Sequence, residues 1–288
     1  MQGMDLHRLG VVVHPTRNID RPLRAVSGWA ERHGAELVQL PVPGNGRQML
    51  RAGRPEDCNL IVSIGGDGTM LSAIRASLHL DRPVLGVASG SLGALTSVEE
   101  DGVERALDRV ANQDWVPRRL PGLDITLEHG DSLVAINDIA IVRAGQGQIR
   151  ATAKVDGTLY ARLAGDGCIV STAVGSSAYA LAAGGPLLAP SAHAFLLTPL
   201  PTHGGFHPPL VIGHESRLEL DTDAGRNGAR VELDGQVTDL QVSSLQVRLR
   251  PEVATLVSFA DQESLLEGLR RRKIIIDSPR ILVDDVRH

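Results

Sequence analysis

An apolar run, Leu-Ile-Val-Ser-Ile at residues 60–64, leads directly into the loop Gly-Gly-Asp-Gly-Thr at residues 65–69 and then into a helical pattern. Glycines at a strand end let the backbone turn sharply and approach a ligand, and the N–H groups that open the next helix favour phosphate. Because phosphates would repel a carboxylate there, we expect Asp67 to hold Mg²⁺ or to accept a proton from an attacking hydroxyl. The alternative is a glycine-rich turn in which Asp67 only caps the helix.

Strand and helix patterns alternate through the first part of the chain, which predicts a parallel sheet covered by helices. Beyond Pro117 short alternating or apolar runs dominate, and they predict an all-β, sandwich-like region. We therefore predict an α/β domain at residues 1–117 and a β-rich domain at residues 118–288, which has a C-terminal helical tail. The predicted strands of the first domain are 9–14, 36–40, 60–64 and 84–87, and its predicted helices are 21–33, 69–80 and 103–110.

The composition excludes several classes of protein. A net charge of −5 gives no general attraction to nucleic acid or to anionic membranes, and no apolar run is long enough to span a bilayer. No basic segment leads into an apolar one near Met1, so we expect no signal peptide and a cytoplasmic location. Cys58 and Cys168 are far apart in the sequence, which indicates two buried side chains and no disulfide framework.

The basic residues are almost all arginine, since only Lys154 and Lys273 among the 29 are lysine. No Gly-x-x-x-x-Gly-Lys-Ser/Thr segment occurs, so a P-loop phosphate site is excluded. Any phosphate chemistry must therefore use backbone N–H groups, arginine and a metal ion.

Three segments of the second half are candidate binding sites. Asn137 and Asp138 interrupt an apolar strand and point to opposite faces, so at least one needs a polar partner, which is a ligand hydroxyl or a neighbour at a strand bulge. Residues 165–186 run from a strand into a helix, where small side chains leave room for a flat ligand beside Tyr179; a capped helix with no ligand is the alternative. Asp234 ends a strand in a glycine-containing turn and is a further candidate.

Taken in order, these segments resemble the NAD kinase family over most of the chain. Residues 65–69 match that family's GGDGT motif in full, and INDIAIVR at 136–143 resembles its asparagine-acid strand. Its later signatures are matched by GDGCIVST at 165–172, GSSAY at 175–179, AGGP at 183–186, TPL at 198–200, PLV at 209–211 and DGQ at 234–236. The family's fold, an α/β domain followed by a β-sandwich-like domain, is also the one that the strand and helix patterns predict.

The resemblance implies an ATP-dependent kinase that phosphorylates the 2′-hydroxyl of the adenosine ribose of NAD to give NADP. By position it implies that Asp67 orients or deprotonates this hydroxyl. The implied phosphate-binding residues are Gly65, Gly66, Gly68 and Thr69, and the implied acceptor-binding residues are Asn137, Asp138, Asp166, Ser177, Ala178, Tyr179 and Asp234.

The resemblance also implies cofactors and partners. Mg²⁺ is expected with ATP, because phosphoryl transfer depends on charge neutralisation, but no residue is assigned to a metal site built by the protein alone. The expected partners are small-molecule nucleotide substrates. Family members commonly assemble as dimers or tetramers, so a homo-oligomer is expected.

The chain departs from the family's pattern at positions that line the acceptor. Alanine stands at 88 and 94 in place of asparagine and phenylalanine, Ala173-Val174 replaces Pro-Thr or Pro-Ser, and Pro208 replaces arginine. Such contacts contribute roughly 0.5–3 kcal/mol each, so the changes predict weak use of NAD. A kinase for another nucleoside, nucleotide or ribose-bearing metabolite is therefore the first alternative, and the donor is ATP, another nucleoside triphosphate or polyphosphate.

Two further alternatives concern the type of protein. A lipid kinase that acts on diacylglycerol or sphingosine shares the GGDGT loop, but the GSSAY and AGGP segments count against it. A nucleotide sensor without catalytic activity is disfavoured because Asp67 is intact.

Overall fold

The structure is a computed structural model that describes residues 6–278. The described residues divide into two compact units: unit 1 combines residues 6–118 with residues 254–278, and unit 2 is Arg119–Val253. The expected division placed all residues after 117 in one domain, whereas residues 254–278 lie in unit 1. No helix within residues 6–278 is long and apolar enough to cross a membrane.

The described residues form the following strands and helices. The strands are β1 (Arg8–Val13), β2 (Glu36–Gln39), β3 (Leu60–Gly65), β4 (Val84–Ala88), β5 (Val116–Leu127), β6 (Ser132–Ala135), β7 (Asp138–Arg143), β8 (Ile149–Val155), β9 (Thr158–Gly165), β10 (Gly167–Ser171), β11 (Ala194–Pro199), β12 (Leu210–Gly213), β13 (Arg217–Asp223), β14 (Ala229–Leu233), β15 (Gln236–Thr238) and β16 (Ser244–Ser258). The α-helices are α1 (Asp20–His33), α2 (Asp67–Ser77), α3 (Val103–Ala111), α4 (Tyr179–Ala182) and α5 (Leu265–Arg271).

The sheet of unit 1 has parallel strands in the order β2-β1-β3-β4, with the last residues of β16 beside β4. Val13 of β1 lies beside Ile64 of β3, and Gly65 of β3 lies beside Ala88 of β4. The carboxyl ends of these strands therefore share one edge, and ligands of open α/β sheets bind beyond that edge. Loop 65–69 lies there, and the predicted α/β fold of the first domain is confirmed.

The helices of unit 1 lie close to their predicted positions, although α2 begins two residues and ends three residues before the predicted 69–80. All residues of β3 are buried, as expected for a parallel strand covered on both faces. Helix α1 buries Val26 and Trp29 on one face, and its C-cap residue is Gly34, whose φ of 68° is left-handed. The indole N–H of Trp29 donates to the carboxylate of Asp108 on α3 at 2.6 Å, so this buried ring keeps a polar partner.

Unit 2 consists mainly of β-strands, as predicted, and these strands pair in antiparallel fashion. One sheet has the order β12-β11-β10-β7-β14-β15, while β8 pairs with β9 and β13, and β13 also pairs with β16. Strand β10 is buried along its whole length. Ser171 at its carboxyl end lies beside Asp138 of β7, and Gly167 at its other end lies beside Val142.

Candidate active site

The carboxylate of Asp67 lies at the carboxyl end of β3, on the first residue of α2. Its Oδ1 accepts the backbone N–H of Leu95 at 2.9 Å, and its Oδ2 accepts that of Ala94 at 3.0 Å. The N-cap of α2 is Gly66 and no side chain caps this helix, so Asp67 is held by the loop after β4 and does not serve as a cap. Its side chain is 35% exposed. A carboxylate with a fixed orientation that remains open to solvent is suited to accept a proton from a ligand.

Two glycines allow the backbone to close around this carboxylate. A Cβ on Gly93 would lie 2.1 Å from Oδ1 of Asp67, and a Cβ on Gly65 would lie 2.2 Å from Oγ1 of Thr69. Thr69 is buried against Gly65, and its hydroxyl has no hydrogen-bond partner among the described residues. Both glycines are therefore needed for close packing, and the Thr69 side chain does not lie at the surface.

Gly66 and Gly68 have open space where a side chain would be. A Cβ on Gly68 would meet nothing within 4 Å, and one on Gly66 would meet only Nη1 of Arg17, at 3.6 Å. That guanidinium donates to the backbone oxygen of Ser89 at 2.9 Å. The start of α2 therefore offers exposed backbone and a neighbouring positive charge, which together favour an anion.

A second arginine extends this positive region at the carboxyl end of β1. Nη1 of Arg47 donates to the backbone oxygens of His14 at 3.0 Å and of Arg17 at 2.6 Å. Nδ1 of His14 accepts the backbone N–H groups of Thr16 and Arg17. Burial, followed by the charges of Arg17 and Arg47, lowers the pKa of His14. Among the described residues no carboxylate lies within 4.0 Å of either guanidinium, so both charges are available to a ligand.

Two more arginines lie near Asp67, and sequence reasoning missed them as it missed Arg17 and Arg47. Nη1 of Arg118 donates to the backbone oxygen of Ala94 at 3.1 Å, and Nη1 of Arg272 lies 4.0 Å from Oδ2 of Asp67. Burial lowers the pKa of Arg118, and the charge of Asp67 acts in the opposite direction. The preference for arginine over lysine was a signal for such a site, but it does not say which arginines form it.

In unit 2, Asn137 lies in the turn between β6 and β7, where the backbone is fixed from both sides, and Asp138 is the first residue of β7. Contrary to the sequence prediction, the pair therefore does not interrupt a single strand. The carboxylate of Asp234 accepts the backbone N–H groups of Ile136 at 2.9 Å, Asn137 at 2.6 Å and Asp138 at 3.1 Å. Thr172 donates its hydroxyl to the backbone oxygen of Ile136 at 2.7 Å. Oδ1 of Asn137 is buried without a hydrogen-bond partner among the described residues. Asp234 therefore holds the turn, while the Asn137 amide retains an unused acceptor.

Asp138 is buried, with only 3% of the residue exposed. Burial, together with the negative charges of Asp234 and Glu232, raises its pKa to about 7. A carboxyl in this setting carries a proton at mildly acidic pH and loses it close to neutrality.

Asp138→Asn should change how the stability of the protein depends on pH. An unfolded aspartate releases its proton near pH 4, whereas folded Asp138 keeps it until about pH 7. The native chain should therefore lose stability as the pH rises through this window, and the asparagine variant should not. Between about pH 4 and pH 7, the free energy of unfolding of the variant, measured in urea, should rise relative to that of the native chain. The expected rise is up to about 4 kcal/mol, at ~1.4 kcal/mol per pKa unit.

Asp131→Asn, at an exposed position before β6, is the control for the loss of one carboxylate. Its unfolding free energy should follow that of the native chain across the pH range. If the curves of the native chain and of Asp138→Asn run parallel from pH 4 to pH 8, Asp138 does not titrate as described.

The remaining predicted acceptor residues lie in two places. Ser177 ends a short turn at Gly175–Ser177, and Ala178 and Tyr179 follow it with exposed side chains. Asp166 precedes β10, whereas Ser171, which lies beside Asp138, is at the other end of this strand. At ~3.3 Å per residue, Asp166 is therefore about 16 Å from Ser171. It pairs with Nε of Arg143 at 2.5 Å. The structure therefore brings Asn137, Asp138 and Asp234 together but places Asp166 apart from them.

The positions that depart from the family's pattern are mostly buried. Ala88 ends β4 without exposed surface, and Ala173 and Val174 are buried in the turn that follows β10. Ala94 is half-buried and acts through its backbone, which contacts both Asp67 and Arg118. Pro208 is exposed.

Comparisons of the sequence with known proteins match both halves of the chain. The model of the ATP-NAD kinase N-terminal domain matches residues 12–115, and that of the ATP-NAD kinase C-terminal domain matches residues 136–250. The NAD kinase of Chlorobaculum tepidum is 30% identical over 236 residues, which cover 79% of this chain and 82% of that protein. The NAD kinase of Heliobacterium modesticaldum is 37% identical over 207 residues, which cover 70% and 71%.

Solved structures agree with these matches. An NAD kinase from Archaeoglobus fulgidus in complex with ATP superposes with a TM-score of 0.73 at 25% identity, over 94% of this chain and 100% of that one. Yeast NADH kinase complexed with NADH superposes with a TM-score of 0.78 at 20% identity, over 95% and 89%. The second likeness concerns the fold alone.

Proposed function

The chain belongs to the ATP-NAD kinase family, and from this premise we propose that it transfers the γ-phosphoryl group of ATP to the 2′-hydroxyl of the adenosine ribose of NAD, giving NADP and ADP. The observation that carries the proposal is the Asp67 carboxylate, held by the N–H groups of Ala94 and Leu95 beside open backbone at the start of α2. This arrangement supplies a base and an anion site in one loop.

In the reaction, the oxygen of the 2′-hydroxyl forms a bond to the γ-phosphorus while the bond to the bridging oxygen breaks. ADP leaves with the electron pair of that bond, and the hydroxyl proton passes to Asp67. The exposed backbone at Gly66 and Gly68 and the guanidinium groups of Arg17 and Arg47 hold the donor phosphates. Support for this role comes from the position of these groups at the carboxyl ends of β1 and β3. Within residues 6–278 neither guanidinium has a carboxylate partner.

Mg²⁺ bound with ATP would neutralise charge on the triphosphate oxygens. Within residues 6–278 no group of three or more His, Cys, Asp or Glu side chains is placed to hold a metal ion. Mg²⁺ is usually bound through one or two carboxylates together with substrate phosphates and water. The half-exposed Asp67 can supply one such carboxylate, so the residues present fit an ion that arrives with the triphosphate.

The acceptor is assigned to the segments of unit 2. Asn137 and Asp138 bind its sugar and base, and Ser177, Ala178 and Tyr179 line the dinucleotide. The unused acceptor on Asn137 and the exposed ring of Tyr179 support these roles. Asp234 contributes by holding the turn, since its carboxylate already accepts three backbone N–H groups.

A purified-enzyme assay tests the proposed function. NAD, NADH, a panel of nucleosides, diacylglycerol and sphingosine are each offered with ATP and Mg²⁺, polyphosphate replaces ATP in a parallel series, and products are resolved by mass. NADP formed from NAD with the highest kcat/KM of the panel is the expected result. This replaces the weak use of NAD that the departures from the family's pattern predicted, because most of those positions are buried and offer little surface to an acceptor. A better acceptor elsewhere in the panel would favour the changed-acceptor alternative, and ATP binding without turnover would favour a sensor.

We expect the protein to be a homo-oligomer, because one sheet of unit 2 leaves apolar side chains exposed at both edges. Val211 on edge strand β12 and Val237 on edge strand β15 are 50% and 66% exposed, and Phe206 before β12 is 89% exposed. Exposed edges and apolar patches favour association. Light scattering at micromolar concentration should give a dimer or tetramer of the 30.6 kDa chain, and a monomeric mass would contradict this expectation.

A cytoplasmic location is part of the proposal. Both cysteines are free and buried, which suits a reducing compartment.

A further inference from the structure

Helix α5 of unit 1 presents an arginine to the candidate catalytic carboxylate. Ser264 is the N-cap of helix α5 and forms a reciprocal capping box with Glu267, and Arg272 is its C-cap residue. Nε of Arg272 donates to the backbone oxygen of Gly268 at 3.2 Å, which fixes the side chain against its own helix. Nη1 then lies 4.0 Å from Oδ2 of Asp67. Nη2 is buried without a hydrogen-bond partner among the described residues.

The two arginines that precede Arg272 each form hydrogen bonds with a carboxylate. Arg270 forms two hydrogen bonds with the carboxylate of Asp277, at 2.8 and 2.5 Å. Arg271 pairs with Glu263 at 3.0 Å. Of these three consecutive arginines, only Arg272 lacks a hydrogen-bonded carboxylate among the residues that the structure describes, so its donors remain available.

Arg271 also connects α5 to the loop that orients Asp67. Its Nη2 donates to the backbone oxygen of Leu92 at 3.2 Å, and the same loop supplies the N–H groups of Ala94 and Leu95 to the carboxylate. The position of Arg272 relative to Asp67 is therefore set by a direct link between helix and loop.

Positive charge exceeds negative charge around Asp67. The guanidinium groups of Arg118 and Arg272 face a single carboxylate, and among the described residues no other carboxylate lies within 4.0 Å of either group. The N-terminus of α2 adds further positive potential. A site with this excess is completed by an anion, and a guanidinium is suited to phosphoryl oxygens because its donors form a planar fork.

We propose that Arg272 is a catalytic residue that binds the oxygens of the phosphoryl group as it passes from ATP to the acceptor hydroxyl. This inference rests on the proposed function. As the bond from the acceptor oxygen to the γ-phosphorus forms and the bond to the bridging oxygen breaks, negative charge is spread over the peripheral oxygens. The guanidinium stabilises that charge, while Asp67 takes the hydroxyl proton and ADP leaves with the electron pair.

Arg272→Ala, Arg272→Lys and Arg270→Ala test the proposal with NAD, ATP and Mg²⁺. We expect Arg272→Ala to lower kcat at least about tenfold with KM for NAD changed less than about threefold. The loss falls short of that for a donor in an enclosed site, because Arg272 is 24% exposed. Arg272→Lys should retain an intermediate kcat, and Arg270→Ala, which loses only the surface pair with Asp277, should match the native chain.

Added guanidinium ion separates a catalytic role from a structural one. It should restore part of kcat to Arg272→Ala and none to Asp67→Asn, while thermal unfolding of Arg272→Ala stays close to that of the native chain. A kcat of Arg272→Ala within about threefold of native would overturn the proposal, as would a loss that guanidinium does not restore and that accompanies a lowered unfolding temperature. The native chain in the same assay tests the proposed function separately, since its failure to form NADP would reject that function and not the role of one arginine.

Discussion

The Asp67→Asn protein should fold normally and form NADP at least about a hundredfold more slowly than the native chain. An amide cannot take the proton of the 2′-hydroxyl, and general-base catalysis contributes a factor of about 10²–10⁴. The asparagine oxygen can still accept the N–H of Leu95, which lies 2.9 Å from Oδ1 of the native carboxylate, so the loop after β4 keeps one of its two bonds to this side chain. Initial rates of NADP formation, with thermal unfolding measured in parallel, give the comparison.

Asp131→Asn is the matched control, because it removes one exposed carboxylate from unit 2. Its kcat should equal that of the native chain. A folded Asp67→Asn protein with a kcat within about threefold of native would show that Asp67 is not the base.

Gly93→Ala should lower kcat by about a hundredfold, while the protein still folds. The added methyl group would lie 2.1 Å from Oδ1 and 2.6 Å from Cγ of Asp67, so the carboxylate and the loop must move apart by about 1 Å. A displacement of that size can cost about a hundredfold in rate. Overpacking at one position costs typically about 1–3 kcal/mol, which urea unfolding will measure.

Gly28→Ala makes the same chemical change in α1, where the new methyl group would meet only the flexible end of Arg32 at 3.4 Å. It should leave kcat unchanged and stabilise the helix by about 0.5–1 kcal/mol. Native-like turnover of Gly93→Ala would mean that the tight contact between this loop and Asp67 is not needed for catalysis.

The part of the site that could be predicted from the sequence is local. Loop 65–69 follows a fully buried strand and opens a helix, so its place at the carboxyl edge of a parallel sheet follows from neighbouring residues alone. The segments of the second half were found in the same way, because each interrupts or ends an apolar run.

The parts that the sequence did not reveal depend on contacts between distant residues. Asp234 binds the backbone of Ile136, 98 positions earlier. Arg272 lies 4.0 Å from Asp67 although the two residues are far apart in the sequence. No periodicity or spacing marks such pairs. The sequence also does not show which of its many arginines have a carboxylate partner, because that depends on the fold. Residues 254–278 lie in unit 1, whereas the expected second domain ran from 118 to 288, because β16 continues without a break across the division.

The most direct test of the central claim is the position of the phosphate in the product. The purified native chain is incubated with NAD, ATP and Mg²⁺, and the product is analysed by proton–phosphorus correlation NMR. We predict a new phosphate on the 2′-oxygen of the adenosine ribose, formed in equal amount with ADP and lost in parallel with kcat in Asp67→Asn. ADP release without phosphorylated NAD, or a phosphate on another oxygen, would contradict the account.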